Sequence, residues 1–206
     1  MTAIPATATP VAVDLPGLAE LTADLTRAAH VPGTLVVIDG DLTDGQAYTH
    51  TDTCTRAPQI TLAADLLTGG PYPLYGALAH EIAHRALGHL SPRRPWRWAS
   101  EAAALAAIAA VLTGYPWGLA VAATVVMAAA HLLDAYRQRA EEMEADAHSV
   151  ELLNAAGLPG RDVVAATLAQ LPADGWWYRT VGWIGGGRPT VAARRRALDR
   201  RHGCAR

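Results

Sequence analysis

The stretch GALAHEIAHRALGH, residues 76 to 89, sets His80 and His84 four residues apart, with Glu81 directly after the first. On an α-helix four residues turn the chain through about 400°, so both imidazoles leave one face, one turn apart, with Glu81 beside them. Two imidazoles so spaced can close on one ion, and zinc accepts histidine nitrogens at about 2.0 to 2.1 Å. A catalytic zinc keeps a water in the position that its protein ligands leave open. Glu81 then stands where it would take a proton from that water, which is the HExxH arrangement of two ligands and a general base. The alternative is a helix that carries two histidines and a surface glutamate by chance, and a third ligand elsewhere would decide between the two.

The motif needs a helix, and its surroundings supply the signals for one. Pro71 and Pro73 precede it, where proline suits a first turn, and Gly88 and Pro92 follow as stop signals. Leu74, Leu78, Ile82 and Leu87 are expected to face a core. His89, five residues after His84, falls about 140° round a continuing helix and is not expected to be a ligand.

A source for the third ligand lies in YRQRAEEMEADAHSVELLNAAG, residues 136 to 157. No proline or glycine interrupts it before Gly157, so a second helix is expected. Glu142 and Asp146, four apart, share a face. One can bind a metal while the other holds a ligand by hydrogen bonds. Standing alone, Glu141, Glu142 and Glu144 would read as an acidic solvated face; beside HExxH they read as part of a site. His148 points away from the Asp146 face and is expected to be an ordinary polar position.

Composition bounds what else the chain can do. Its 206 residues suit one domain, or one domain with an appendage, and suffice to bury a core. A formal net charge of -2 gives no sign of nucleic-acid binding. The basic residues are all arginine and phenylalanine is absent, a pattern we read as coding bias. Cys54 and Cys204 are far apart and neither lies in a CxxC, which leaves neither a disulfide framework nor a thiolate metal site. The opening MTAIPATATPVAVDLPGLAE has no basic n-region and no continuous apolar run, so no secretory signal peptide is expected.

Along the chain, residues 1–15 read as a loose arm. Residues 16–98 hold a helix marked by Leu18, Leu21 and Leu25 and ended by Pro32 and Gly33, then strands at GTLVVID (33 to 39), AYTHT and PQITLA (58 to 63), then the HExxH helix. SPRRPWRW (91 to 98) leads into residues 99–133, almost wholly apolar around a Gly-Tyr-Pro-Trp-Gly break, which reads as a helical hairpin. Each arm is shorter than the roughly 20 apolar residues that span a bilayer. Arginines flank the hairpin at Arg85, Arg93, Arg94, Arg97, Arg137 and Arg139 and are absent from its turn, which by the positive-inside rule places both ends in the cytoplasm. Trp96, Trp98 and Trp117 suit interfaces. Glu101 and His131 within the arms favour the alternative, an alanine-rich soluble hairpin buried in a core. Residues 134–206 hold the third-ligand helix and C-terminal helices. GWWYRTVGW (175 to 183) reads as core, with a substrate cleft or a membrane interface as alternatives, and the glycines at 185 to 187 as a flexible loop.

LAHEIAHRALGH followed, across an apolar hairpin, by RAEEMEAD resembles the HtpX and CAAX-prenyl-protease family of gluzincin zinc metallopeptidases, whose pattern is HExxH, membrane helices, then a helix bearing E-x-x-A-D. The resemblance covers roughly residues 34 to 200. It implies an α+β, zincin-like fold, mostly helical with a small edge sheet, with the apolar hairpin inserted between the two metal-binding helices. It maps the family's glutamate ligand onto Glu142, its aspartate onto Asp146 and an arginine before the ligand onto Arg139. His80, His84 and Glu142 would then hold Zn2+, with Glu81 as base and Asp146 behind the ligands. In GGRPTVAARRRAL, Pro189 and Arg194 fit the family's C-terminal spacing, while Arg188 replaces its histidine. Arg194 is the candidate for stabilising the oxyanion, against a plain solvated face for the arginines at 194 to 196.

PQITLAADLL is similar to the family's edge strand, so an extended substrate is expected to add to a sheet edge at residues 58 to 63. The implied protein is a membrane-associated zinc endopeptidase at the cell membrane, its catalytic part cytoplasmic, acting on a protein or peptide and not on nucleic acid. Two other readings stay open: a soluble regulatory gluzincin cleaving a repressor-like partner, and a non-catalytic binding descendant.

Overall fold

The computed structural model describes residues 17–39, 41–42, 47–51, 58–89, 95–114, 117–180 and 187–202. The N-terminal arm, both cysteines, Arg93 and Arg94, the Tyr115-Pro116 turn centre, Trp183 and the glycines at 185 and 186 lie outside the described residues, as do the side chains of Trp96 and Arg97. The chain divides into two compact units, Met1–Leu90 with Glu144–Ala173 and Val191–Arg206, and Ser91–Met143 with Asp174–Thr190.

In the first unit, helix α1 (Leu18–Ala28) precedes strands β1 (Leu35–Asp39), β2 (Ala47–Thr51) and β3 (Pro58–Ala63), a 3₁₀ turn (Ala64–Gly69) and helix α2 (Pro71–Ala86). The sheet order is β1-β3-β2, with β1 parallel and β2 antiparallel to β3. Strand β3 is therefore central, and the expectation that residues 58 to 63 form the edge is corrected. Thr61 faces Val37 on one side and Tyr48 on the other and is 3% exposed. The physical reason is legible in the residues: Ile60, Thr61, Leu62 and Ala63 are all buried, as in a strand covered on both faces, whereas β2 carries the exposed Tyr48 and β1 the exposed Leu35. The edges are β1 and β2.

Helix α2 is the hub of this unit. Leu74, Ala77, Leu78, Ala79, Ile82 and Ala83 are buried, so apolar residues cover its circumference, the pattern of a helix enclosed by its neighbours. Leu25 of α1, Ile60 and Leu62 of β3, and Leu66 join the same core. So do Val150 and Leu153 from the end of α4 (Trp117–Ala155), Val163 and Leu168 of α5 (Gly160–Gln170), and Leu198 of α7 (Val191–His202). At Gly76 a Cβ would stand 2.0 Å from the Thr167 hydroxyl, so glycine is what lets α5 approach α2 this closely. Prolines open α2 in its first turn as the sequence suggests.

The second unit contains α3 (Pro95–Leu112), the part of α4 up to Met143, and α6 (Trp176–Thr180). Two apolar helices, α3 and the start of α4, occupy the stretch that the sequence suggests as a hairpin, and the second runs on past residue 133: residues 117 to 155 are one helix of 39 residues. No proline or glycine lies between Gly118 and Gly157, so nothing local interrupts the backbone hydrogen bonds. Ala110, Ala123, Ala130 and Ala135 are buried, while Leu105, Ile108, Val111, Val121 and Val125 are exposed and Leu112 and Trp117 are each 80% exposed. No helix among the described residues is long and apolar enough to cross a membrane. Trp176 is exposed, against its reading as core.

Candidate metal centre

His80, Glu81 and His84 stand on α2 among its buried apolar residues, and Glu81 and His84 are themselves buried. Burying such groups costs free energy unless each finds a partner. His80 Nε2 and His84 Nε2 face each other at 3.0 Å, close to the roughly 3.3 Å between two nitrogens on a tetrahedral ion with bonds near 2.0 to 2.1 Å. His80, His84 and Glu142 each offer a ligand atom, and these atoms lie within 4.8 Å of one another. Two imidazole nitrogens and a carboxylate oxygen form a donor set suited to zinc.

The outward-facing nitrogens of both histidines are also engaged. His80 Nδ1 lies 3.0 Å from Asp146 Oδ1. A carboxylate only accepts, so a proton of His80 sits on Nδ1, and in the neutral imidazole Nε2 would then present its lone pair to an ion. Arg194, on α7, donates from Nε to Asp146 Oδ2 at 2.7 Å and from Nη2 to Oδ1 at 2.5 Å, a two-pronged grip on the carboxylate. Its Nη2 is 3.5 Å from His80 Nδ1, too far to compete with Asp146 for that nitrogen. Burial raises the Asp146 carboxyl pKa, but the hydrogen bonds from Arg194 and then His80, with the charge of Arg194, overcome it and hold the group at about 2. Asp146 is thus an anion held behind His80.

His84 is held from a direction that helical geometry alone did not indicate. Helix α2 ends at Ala86, Gly88 takes φ 72°, and the backbone N–H groups of His89 and Gly88 donate to His84 O at 2.9 Å and Arg85 O at 3.1 Å. That pair of bonds around a left-handed glycine is the Schellman cap. It folds His89 back, so that its Nδ1 lies 3.1 Å from His84 Nδ1, while its Nε2 faces Glu144 Oε2 at 3.6 Å. If His84 presents a lone pair at Nε2, its Nδ1–H donates to His89 Nδ1, and the remaining His89 proton lies on the nitrogen facing Glu144. The 140° offset assumed a continuing helix, but the helix has already ended. The Gly88-His89 pair was the available signal.

Sequence reasoning also missed Thr49. Its hydroxyl, on β2, donates to Glu81 Oε2 at 2.7 Å. No motif marks it, since the contact depends on the sheet order. Among the remaining expectations, Arg188 is exposed and its carbonyl accepts a hydrogen bond from the Tyr178 hydroxyl. His148 pairs with Glu151 at 3.0 Å, one turn along its own helix.

An HExxH helix, a glutamate from a second helix and a small mixed sheet define a zincin-like metallopeptidase fold. The model of peptidase family M48 matches residues 16–201, and the chain belongs to that family. No curated protein matches the chain. Among solved structures, the crystal structure of S. mikatae Ste24p is similar at 17% identity and a TM-score of 0.53. The likeness covers 93% of this chain and 50% of that one, so this chain spans about half its length, and it shows a shared fold.

Proposed function

We propose that the chain is a membrane-associated zinc endopeptidase. The observation that carries the catalytic part is the convergence of His80, His84 and Glu142 within 4.8 Å, with Glu81 on the same helix turn. Zinc bound there would lower the pKa of its water towards about 7 and polarise the scissile carbonyl. Glu81 accepts the proton of the attacking water and returns it to the leaving amine. Asp146 fixes the tautomer of His80, and Arg194 fixes Asp146. Because the Arg194 guanidinium is engaged with Asp146, its contacts favour a role in holding the ligand shell over direct contact with an oxyanion. An extended peptide would add to the sheet at β2, an edge strand that carries Thr49 beside Glu81, using main-chain hydrogen bonds for register.

The membrane part rests on the second unit, where large apolar side chains are exposed and alanines are covered. Contiguous exposed apolar surface marks an interaction or membrane site. Short arms are compatible with tilting or local bilayer thinning. One observation favours the second reading, a soluble regulatory gluzincin: no helix among the described residues meets the length and apolarity of a span. Carbonate extraction of membranes from expressing cells separates the two. Full-length protein stays with the pellet under the first reading, and a version with residues 99 to 133 replaced by a short linker does not. Intact protein wholly in the soluble fraction without detergent makes the soluble protease the function.

A further inference from the structure

We propose that Thr49 is a positioning residue for the general base, a role that rests on the reading of Glu81 given above. Strand β2 pairs antiparallel with β3 so that Ala47 lies opposite Leu62 and Thr49 opposite Ile60. Directly opposed residues share a sheet face. Ile60 and Leu62 are fully buried in the core that α2 completes, and Tyr48, one residue away, is exposed on the other face. Thr49 thus occupies a position on the α2 side of the sheet where a strand at an apolar core calls for a β-branched apolar residue. Valine would serve the strand and the packing with the same shape. The fold does not require a hydroxyl here.

What the hydroxyl does is donate to Glu81 Oε2 at 2.7 Å across 32 residues of sequence. A carboxylate accepts through two oxygens. With Oε2 held by Thr49, the Glu81 side chain is fixed in one rotamer and Oε1 remains to take a proton. Glu81 is buried, where a hydrogen bond to an anion is stronger than in water and where losing it frees the side chain to rotate. The contact joins the outer strand of the sheet to the HExxH helix, so the edge proposed to receive substrate and the base that serves it are set by one hydrogen bond.

The test compares Thr49→Val, Thr49→Ser and Glu81→Gln with the wild type, all loaded with zinc and assayed on an unstructured protein such as casein. General bases contribute about 10² to 10⁴ in rate, so losing the orientation of one is expected to lower kcat about 10-fold in Thr49→Val with KM within about 2-fold. Thr49→Ser, which keeps the donor, restores kcat to within about 3-fold of wild type. Zinc content by mass spectrometry stays at the wild-type level in all four proteins. A readout independent of turnover is the urea unfolding midpoint of the metal-free proteins. Thr49→Val, Glu81→Ala and the double variant shift it non-additively, because the two side chains share one contact.

A wild-type kcat in folded, zinc-loaded Thr49→Val beside an inactive Glu81→Gln overturns the Thr49 role and leaves the base intact. Additive midpoint shifts, or a Thr49→Ser protein as impaired as Thr49→Val, also overturn it, since the residue would then act through packing. A Glu81→Gln protein with wild-type activity removes the base itself, and the Thr49 role with it.

Discussion

The two units of this chain treat apolar side chains in opposite ways. Around α2, the large residues Leu74, Leu78 and Ile82 are inside, and the polar groups among them are held by named partners: Glu81 by Thr49, His80 by Asp146, Asp146 by Arg194. In α3 and the first part of α4, the covered residues are alanines while leucine, isoleucine, valine and tryptophan are turned outward. One hydrophobic effect acts on both. Its strength grows with apolar area removed from water, so the first unit gains by closing on itself and the second leaves much of its apolar area to be covered by something else. A site that must hold charged and metal-ligating groups at fixed distances belongs in the first kind of environment, where packing locks rotamers.

The largest effect that tests this contrast is expected at Asp146. Asp146→Ala removes the buried carboxylate that Arg194 grips with two donors, and removing one partner of a buried pair costs about 3 to 5 kcal/mol. Zinc affinity should fall about 10- to 100-fold as well, as for other partners of ligating histidines. Denaturant unfolding of the metal-free protein and a metal titration read the two losses separately. An unchanged stability would mean that the Arg194–Asp146 grip is not part of the folded core.

Matched truncations in the two units come next. Leu78→Ala in α2 should cost about 2 to 5 kcal/mol, the range for a buried leucine. Leu112→Ala in α3, where the side chain is 80% exposed, should stay within about 0.5 kcal/mol. The contrast fails if the two losses are equal when measured by urea denaturation in the same buffer.

A smaller effect is expected at His89. Replacing it with alanine frees His84 Nδ1 from its neighbour, so zinc should bind about 10-fold more weakly while stability changes by about 1 kcal/mol. Equal zinc affinity in the wild type and His89→Ala would show that the capped turn after α2 serves only to end the helix.

Much of the geometry of the candidate metal centre was legible because its logic is local. The offset of four places His80 and His84 on one face whatever surrounds them, and Pro71 and Gly88 mark the helix that carries them. Glu142 was accessible through its spacing from Asp146 together with the family pattern. What escaped depends on facts that spacing does not contain. The central position of β3 follows from which strands pair, and Thr49 meets Glu81 only because β2 joins the side of β3 away from β1. His89 was misplaced because helical angles were carried past the residue where the helix stops. The long α4 was divided at the hairpin's end because composition changes there, although the backbone had no reason to break.

The central claim is that His80, His84 and Glu142 hold one zinc that Glu81 serves as base. Metal analysis of purified protein by mass spectrometry, run beside a casein-cleavage assay on the same preparations, tests it most directly. The wild type should carry one zinc ion per chain and cleave, Glu142→Ala should lose both metal and activity, and Glu81→Gln should keep the metal without cleaving. Full zinc occupancy in Glu142→Ala, or wild-type cleavage by Glu81→Gln, would contradict the account.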